Sequence, residues 1–276
     1  HVILLDPVGA GASALRTNTA VNLMKEIPFT ETVERIVGRA AGQPPISCTR
    51  QQPEQTKTLL LPQVSRCAAH AVEYLHSRGI DYELIDFCIR TGRLYESYPH
   101  HNAVFVGKDK DGQPRYACLR GIGTDFKGEA TGSDKRFSFS IPAKESSQVL
   151  YLFESAIDLL SFATMAQEDR LPWRSQHLLS LAGVYQPKKN LAERRLPLAL
   201  SQYLRDHREI QTIYLCLDND LAGRSAADAI RQQLAGKYVV RDGFPCQGKD
   251  YNDWLCLRKG LPITRTVPKT ERSIAR

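Results

Sequence analysis

Acidic residues follow two apolar segments of the sequence, at a spacing that suits a metal site. The segment QTIYLCLD ends in Asp218, with Asp220 two positions later and the helical pattern LAGRSAADAIRQQL after it. The segment QVLYLF ends in the same way, in Glu154, with Asp158 one helical turn further on. Carboxylates gathered in one crevice repel one another, and a hard divalent cation such as Mg²⁺ or Mn²⁺ relieves that repulsion. We therefore predict that Glu154, Asp218 and Asp220 bind a metal ion.

Helix capping is the alternative interpretation for each acid taken alone. Aspartate is a good N-cap, and the helix dipole favours a negative charge near the helix start. Asp218 and Asp220 would then only cap the helix that begins near Ala222, and Asp158 would face solvent. One acid alone favours capping, whereas three acids at the ends of strands favour a metal site. Gly223 would allow the tight turn that leads into this helix.

A later loop carries residues of the same kind. The segment GKDYNDWL adds Lys249, Asp250, Asn252 and Asp253 directly after the last predicted strand. We predict Asp250 as a further metal ligand and Lys249 as a contact to phosphate, with Asn252 and Asp253 in supporting positions. The alternative is that Asp250 or Asn252 caps the last helix.

The elements that must position these residues alternate between strand and helix. Apolar segments of strand length (QVLYLF, HLLSLAG, QTIYLCLD and KYVVRD) are separated by helical patterns (SAIDLLSFATMAQ, LAERRLPLALSQYLRDH and AGRSAADAIRQQLAG), and YNDWLCLRKG is a last helix. Such alternation predicts an α/β fold with a mostly parallel sheet covered by helices on both faces. Ligands bind such sheets beyond the carboxyl ends of the strands, which is where the acids lie.

The sequence before this alternating part divides into three predicted regions. Residues 1–40 combine a short strand, a glycine-rich turn (GAGAS) and two helices, and residues 41–63, rich in Pro, Gln and Thr, form a linker. Residues 64–145 form a smaller α+β region with two amphipathic helices and a hairpin, NAVFVG and PRYACLRG, joined by the turn KDKDG. At the other end of the chain, residues 263–276 form a basic tail.

Basic residues recur among glycines and aromatic residues at the end of the hairpin and after it. Arg120, Lys127, Lys135 and Arg136 lie near Phe126, and FSFS follows them. Basic side chains hold phosphates and aromatic rings stack on bases, so this stretch could bind nucleic acid. Alternatively, FSFS is an ordinary strand with its phenylalanines in the core. We expect most of these phenylalanines in the core, and Arg120, Lys127 and Lys135 facing phosphate.

Composition narrows the class of partner and of compartment. The chain of 276 residues has a net charge of +7, which favours an anionic partner. Its seven cysteines form no C-x-x-C pair, and the odd count fits the reducing cytoplasm better than a disulfide framework. We expect no membrane span and no signal peptide, because no apolar run is long enough. The start at His1 instead of a methionine indicates a fragment or a processed product.

The acidic motifs resemble those of the Toprim domain. A glutamate after the first strand (FESAID) and D-x-D-x-x-G after the third (DNDLAG) follow its pattern over residues 148–262. This domain occurs in topoisomerases, DnaG-type bacterial primases, some nucleases and recombination proteins. The resemblance implies a Rossmann-like sheet, an acid–base role for Glu154, and Asp218 and Asp220 as the pair that binds Mg²⁺ or Mn²⁺.

The upstream segment YLHSRGIDYELIDFCIRTGRLY, with the hairpin and GSDKRFSFS, resembles a domain that precedes Toprim in proteins of plasmids and other mobile elements. It is also similar to a reduced basic subdomain of DnaG-type primases. Residues 1–40 resemble the tail of a primase zinc-binding module without its zinc ligands, so no zinc is expected in this chain. The resemblance implies a primase-like nucleotidyltransferase of mobile-element replication or transfer. It would act on single-stranded DNA or RNA with nucleotides, and a relaxase or helicase is the candidate partner. The alternatives are a Toprim nuclease or strand-transfer enzyme, and a non-catalytic nucleic-acid-binding protein.

Overall fold

The computed structural model describes residues 58–183 and 195–263 of the chain. The predicted module at residues 1–40, most of the predicted linker and nearly all of the basic tail lie outside the described residues. Within the described residues, no helix combines the length and the apolar character needed to cross a bilayer.

Two helices and an antiparallel sheet form the first half of the described chain. The elements are α1 (Ala69–Ser77), α2 (Tyr82–Arg90), β1 (Leu94–Glu96), β2 (Ala103–Lys108), β3 (Pro114–Arg120) and β4 (Lys127–Glu129). The strands pair in the order β1-β2-β3-β4. Helix α2 begins at the N-cap Asp81, whose side chain accepts a hydrogen bond from the Glu83 N–H. The β2–β3 hairpin follows the prediction, and Asp109 fixes its turn by accepting from the N–H groups of Asp111 and Gln113.

The second half contains a five-stranded sheet in the order β5-β7-β6-β8-β9. Its strands are β5 (Ser140–Ile141), β6 (Val149–Phe153), β7 (His177–Ser180), β8 (Thr212–Cys216) and β9 (Val239–Asp242), and its helices are α3 (Ala156–Glu168), α4 (Leu198–Asp206), α5 (Leu221–Leu234) and α6 (Tyr251–Lys259). Strands β6 to β9 pair in parallel, and among the described strands of this sheet only the edge strand β5 runs antiparallel. The predicted α/β class with a mostly parallel sheet is therefore confirmed.

Alternating side chains of the central strands point into two cores. On β6, Leu150 and Leu152 belong to the cluster that α4 and α5 cover, whereas Phe153 belongs to the cluster that α3 and α6 cover. Helices therefore pack on both faces of the sheet, as predicted. The second cluster also contains Leu75 of α1 and Phe105 of β2, so the antiparallel region shares a core with the parallel sheet.

The structure differs from the sequence interpretation at FSFS. Residues Lys135–Phe137 form a turn of 3₁₀ helix, and only Ser140 and Ile141 continue as a strand. The expectation that most phenylalanines of this stretch lie in the core is wrong. Phe139 is fully buried and packs edge-on against Phe105, but Phe137 is only partly buried and Phe126 is 50% exposed. Asp134 begins the 3₁₀ turn by accepting from the Arg136 N–H, and this cap breaks the strand pattern.

Candidate active site at the carboxyl edge of the parallel sheet

Two adjacent parallel strands bring Glu154 and Asp218 together. Phe153, the last residue of β6, pairs with Cys216, the last residue of β8. Glu154 follows Phe153 directly, and Asp218 lies two residues after Cys216, so both carboxyls lie at the same edge of the sheet. Each residue is only 8% exposed. Burial, followed by the charge and hydrogen bond of Asp218, raises the pKa of Glu154 to about 8. Glu154 can therefore hold a proton at neutral pH.

Asp220 is both a helix cap and a member of the acidic cluster. Its Oδ1 accepts a hydrogen bond of 2.9 Å from the Gly223 N–H, which makes it the N-cap of α5. This bond, with further help from Lys249, lowers the pKa of Asp220 and keeps its carboxylate charged. A Cβ atom at position 223 would lie 2.1 Å from the Asp218 carbonyl oxygen, so the turn requires a glycine. Asp220 therefore caps the helix with Oδ1 alone, and its Oδ2 is free to contact another partner.

That partner is Lys249, whose ammonium lies between two carboxylates. Its Nζ is 3.0 Å from Oδ2 of Asp218 and 3.2 Å from Oδ2 of Asp220. Burial alone would lower the pKa of Lys249, but the hydrogen bonds and charges of Asp218 and Asp220 raise it above its usual value. The backbone fixes this arrangement, since the Asn219 N–H donates to the Lys249 carbonyl at 2.7 Å and the Lys249 N–H donates to Oδ2 of Asp253 at 3.0 Å.

Asp158 forms a further buried part of the cluster. The Ser155 hydroxyl donates to its Oδ2 at 2.6 Å, and the Asn252 N–H approaches its Oδ1 at 3.4 Å. Burial raises the pKa of Asp158 to about 7, and the charges of Asp250 and Asp218 add to this effect. Asp158 therefore faces the cluster instead of the solvent-facing position considered for it.

The loop before α6 carries Asp250 and Asn252. Asp250 caps α6 by accepting from the Asp253 N–H at 2.7 Å, and burial raises its pKa. The Asn252 side chain accepts from Nε of Arg78 at 2.9 Å and donates to the Arg78 carbonyl at 2.9 Å and to Oγ of Ser161 at 3.0 Å. Asn252 therefore anchors the loop to the end of α1 and to α3. Sequence reasoning missed the contact with Arg78, for which the sequence carries no local signal.

A cavity of about 320 Å³ lies next to the Glu154 turn. Arg120 of β3 and Lys127 of β4, paired in register, line one side of it. Ser155 and Ser180, at the carboxyl ends of β6 and β7, line the other side. Within residues 58–183 and 195–263, neither Arg120 nor Lys127 forms an ion pair with a carboxylate. Glu129 also lines the cavity, but its carboxylate pairs with Lys135, so Arg120 and Lys127 present their positive charge to the cavity beside the acids.

Two of the predicted phosphate contacts lie elsewhere. Lys135 forms an ion pair of 2.9 Å with Glu129, and Arg136 forms one of 2.7 Å with Asp134. Neither residue lines the cavity beside Glu154. Ser155 and Ser180, which do line it, were not singled out from the sequence. The strand-end rule that selected Glu154 would also have selected Ser180, which ends β7.

The donor set fits a hard divalent cation. Carboxylate oxygens are the ligands that Mg²⁺ prefers, and Asp218 and Asp220 already hold a cationic group between them. In the described part of the chain, two other groups have all their ligand atoms within 4.8 Å of one another: His70 with Glu96 and His101, and His177 with His207 and Glu209. The three acids Glu154, Asp218 and Asp220 do not form so compact a group, and Lys249 contacts two of them.

Comparisons with known proteins identify two domains. Residues 151–255 match the family model described as Toprim-like, and residues 73–146 match the model described as protein of unknown function (DUF3991). The chain is also 30% identical over 209 residues to the 65 kDa protein of Zymomonas mobilis subsp. mobilis. That match covers 71% of this chain and 32% of the relative, so the matched part is about a third of the relative's length.

Solved structures of primases are similar to the described chain. The primase fragment of the bacteriophage T7 primase-helicase protein is 21% identical with a TM-score of 0.47, and the match covers 67% of this chain and 68% of that one. The E. coli primase catalytic core is 16% identical with a TM-score of 0.46, covering 71% and 70%. The RNA polymerase domain of Mycobacterium tuberculosis primase DnaG is 14% identical with a TM-score of 0.46, covering 71% and 76%.

Proposed function

Starting from a chain whose residues 151–255 are a Toprim-like domain behind a DUF3991 domain, we propose that the protein is a metal-dependent primase-like nucleotidyltransferase. One observation carries the proposal. Glu154, whose carboxyl can hold a proton, lies beside Asp218. Asp218 and Asp220 bind one cationic group, the ammonium of Lys249, and a cavity lined by Arg120 and Lys127 lies next to them. Nucleotidyl transfer needs these three features: a cation site, a group that moves a proton, and a surface for phosphates.

The acids of the cluster would hold the metal. Asp218 and Asp220 would bind Mg²⁺ or Mn²⁺, with Glu154 and Asp250 as further ligands. When bound, the cation neutralises charge that develops on the phosphoryl oxygens. Glu154 has a second role, because the burial and neighbouring acids that raise its pKa make its carboxylate a stronger base than an ordinary glutamate once its proton has left. A 3′-hydroxyl that attacks a triphosphate must lose its proton, and Glu154 is positioned at the edge where it could accept it.

The basic residues would bind the substrates. Arg120 and Lys127 have no carboxylate partner among the described residues and would hold the phosphates of the strand or of the nucleotide. Lys249 remains a candidate phosphate contact, because its side chain is 46% exposed at the rim of the cluster. The place of the protein in mobile-element replication or transfer, with a relaxase or helicase as partner, rests on the sequence resemblance alone.

Nucleotide incorporation on single-stranded DNA tests the proposal. Radiolabelled nucleotides are supplied with Mg²⁺ or Mn²⁺ to the wild type, to Asp218→Asn and to Asp228→Asn, and the input strand is followed in the same lanes. Asp228 is the matched control, since it lies on α5 and pairs with Arg231 at the surface. We expect short products that require the divalent cation, vanish in Asp218→Asn and persist in Asp228→Asn.

Two other outcomes would contradict the proposal. A shortened input strand without new products, again dependent on Asp218, would identify a nuclease that uses the same cluster. A strand that shifts on a gel with neither product nor cleavage would support a non-catalytic nucleic-acid-binding protein. The assay is repeated with RNA, because the described residues of the cluster do not indicate whether the substrate carries a 2′-hydroxyl.

A further inference from the structure

A second cavity, of about 250 Å³, lies between the tip of the β2–β3 hairpin, the 3₁₀ turn at Lys135–Phe137 and α4. It shares no lining residue with the cavity beside Glu154. One wall is fixed by a close backbone approach, because a Cβ atom at Gly107 would lie 1.8 Å from the Phe137 carbonyl oxygen. The second cavity is therefore a separate feature of the fold.

Two cations that have no carboxylate partner among the described residues line this second cavity. The Arg93 Nε donates to the Ser140 carbonyl at 3.1 Å, and the Lys108 Nζ donates to the Thr91 carbonyl at 2.7 Å. Over residues 58–183 and 195–263, neither side chain forms an ion pair. The hydrogen bonds to carbonyls leave both positive charges uncompensated.

The pKa values of both side chains are lowered, as expected for buried cations that lie close together. Burial lowers the pKa of Lys108, and the charge of Arg93 lowers it further. Burial also lowers the pKa of Arg93, and Arg174 contributes in the same direction. Three cations thus neighbour one another, and a bound anion would relieve their repulsion.

The acids that line the same cavity are already engaged. Asp109 pairs with Arg115 at 2.7 Å and also accepts two backbone hydrogen bonds in the hairpin turn. Asp206 accepts from the Gln202 amide at 2.9 Å. Neither carboxylate contacts Arg93 or Lys108, so the positive charge of these two side chains remains available to a ligand.

A buried hydroxyl without a partner points to the same place. Ser138 lines the second cavity and is 1% exposed, and its Oγ makes no hydrogen bond to any residue that the structure describes. Buried hydroxyls nearly always have a hydrogen-bond partner, so one that has none within the protein suits a ligand. The Ser138 hydroxyl can donate to an anion that Arg93 and Lys108 attract.

We propose that the second cavity binds a phosphate group, with Arg93 and Lys108 as its charged partners and the Ser138 hydroxyl as a further donor. The guanidinium group presents donors in a planar fork that matches phosphate oxygens, and the lysine adds a point charge. The phosphate belongs either to a nucleic-acid strand or to a free nucleotide. Assigning the phosphate to a nucleic-acid strand rests on the proposed function, whereas the binding of a phosphate group in this cavity does not.

Calorimetric titration with inorganic pyrophosphate, in the presence of EDTA, tests the second cavity. We expect Lys108→Met to weaken binding about tenfold and Ser138→Ala about threefold. Ser138→Ala should fold normally, because its hydroxyl makes no hydrogen bond within the described protein. Lys237→Met is the matched control, since Lys237 is exposed and lies outside both cavities. Equal affinities in all four proteins would overturn the proposal.

A parallel titration of Lys127→Met separates the two cavities. If pyrophosphate binding depends on Lys127 and not on Lys108, the phosphate lies beside Glu154; the second site is then wrong while the proposed function stands. The source is identified by comparing a 5′-phosphorylated single-stranded oligonucleotide with a nucleoside triphosphate. Weaker oligonucleotide binding by Lys108→Met identifies a strand, and weaker triphosphate binding alone identifies a free nucleotide. These binding measurements do not depend on whether Asp218→Asn loses nucleotide synthesis, so the second cavity and the proposed function can fail separately.

Discussion

The Nζ atom of Lys249 lies 3.0 Å from Oδ2 of Asp218, so the acidic cluster contains a cation of its own. The same ammonium contacts Asp220, and the two aspartates thereby tolerate each other's charge without a metal ion. A metal ion that binds these carboxylates competes with Lys249 for them. This competition leads to the first prediction.

Lys249→Met should increase the affinity for Mg²⁺ about tenfold, because the metal no longer displaces an ammonium and meets a more negative cluster. The half-exposed ion pair itself contributes only about 1 kcal/mol to the free energy of unfolding. Calorimetric titration with Mg²⁺ measures the affinity. Lys259→Met is the control, since Lys259 also forms an ion pair, with Glu168, but away from the cluster. Unchanged Mg²⁺ affinity in Lys249→Met would show that the lysine does not compete.

Glu154→Gln should slow nucleotide incorporation by a factor of about 10² to 10⁴. Glutamine has almost the same shape as glutamate but cannot transfer a proton. Strand affinity, measured by gel shift, should stay within about twofold of the wild type, since Arg120 and Lys127 are untouched. Initial rates at saturating nucleotide give the comparison. A rate for Glu154→Gln within a few-fold of the wild-type rate would show that Glu154 does not transfer the proton and is at most a metal ligand.

Arg120→Gln and Lys127→Gln should each weaken binding to single-stranded DNA and reduce the steepness of its salt dependence, by about 0.7 in the logarithmic slope for each phosphate that the variant no longer neutralises. Lys135→Gln should change neither quantity, because the Lys135 ammonium is engaged by Glu129. Affinities measured at several salt concentrations separate these variants. A Lys135 effect as large as that of Lys127 would favour the broader basic surface predicted from the sequence.

His177 should make the protein sensitive to mild acid. Burial, followed by the charge of His207, lowers its pKa from the usual 6.5 to about 4. A histidine with a lowered pKa stabilises the fold fully above pH 6.5, and this contribution is lost as the pH falls towards 4, because the unfolded chain then binds the proton more readily. The loss amounts to about 3 kcal/mol at most.

Urea unfolding between pH 4 and 7, with EDTA present, measures this effect. The variant His177→Gln should flatten the dependence of the unfolding free energy on pH over that window. His100→Gln is the control, since His100 is exposed in the loop before β2. If His177→Gln keeps the slope of the wild type, other groups cause the acid sensitivity.

The positions of Glu154 and Asp218 could be predicted because they depend only on local pattern. Each follows an apolar run of strand length, and parallel strands bring their carboxyl ends to one edge. The hairpin was predictable for the same reason, since its turn chemistry and its alternating residues lie within one short segment. The partners of Lys249 were not predictable, because its direction depends on how the loop before α6 docks against the loop after β8.

Long-range contacts also decided which basic residues face a cavity. Arg120 and Lys135 look alike in the sequence, yet Glu129 of β4 engages Lys135 and no acid engages Arg120 within the described residues. The FSFS segment failed as a strand because Asp134 captured the Arg136 N–H. Side-chain competition of this kind is invisible to periodicity, which records only whether a residue is apolar.

The anchoring of Asn252 to Arg78 has a consequence for how such genes change. The loop that carries Asp250 depends on the side chain and the carbonyl of Arg78 at the end of α1, and the core beneath α3 and α6 is completed by α1 and β2. A recombination event that moved only the Toprim-like segment into another gene would leave that loop unsupported and that core open to water. The two family segments are therefore expected to be inherited as one block, and an exchange between relatives should succeed where its crossovers lie outside both.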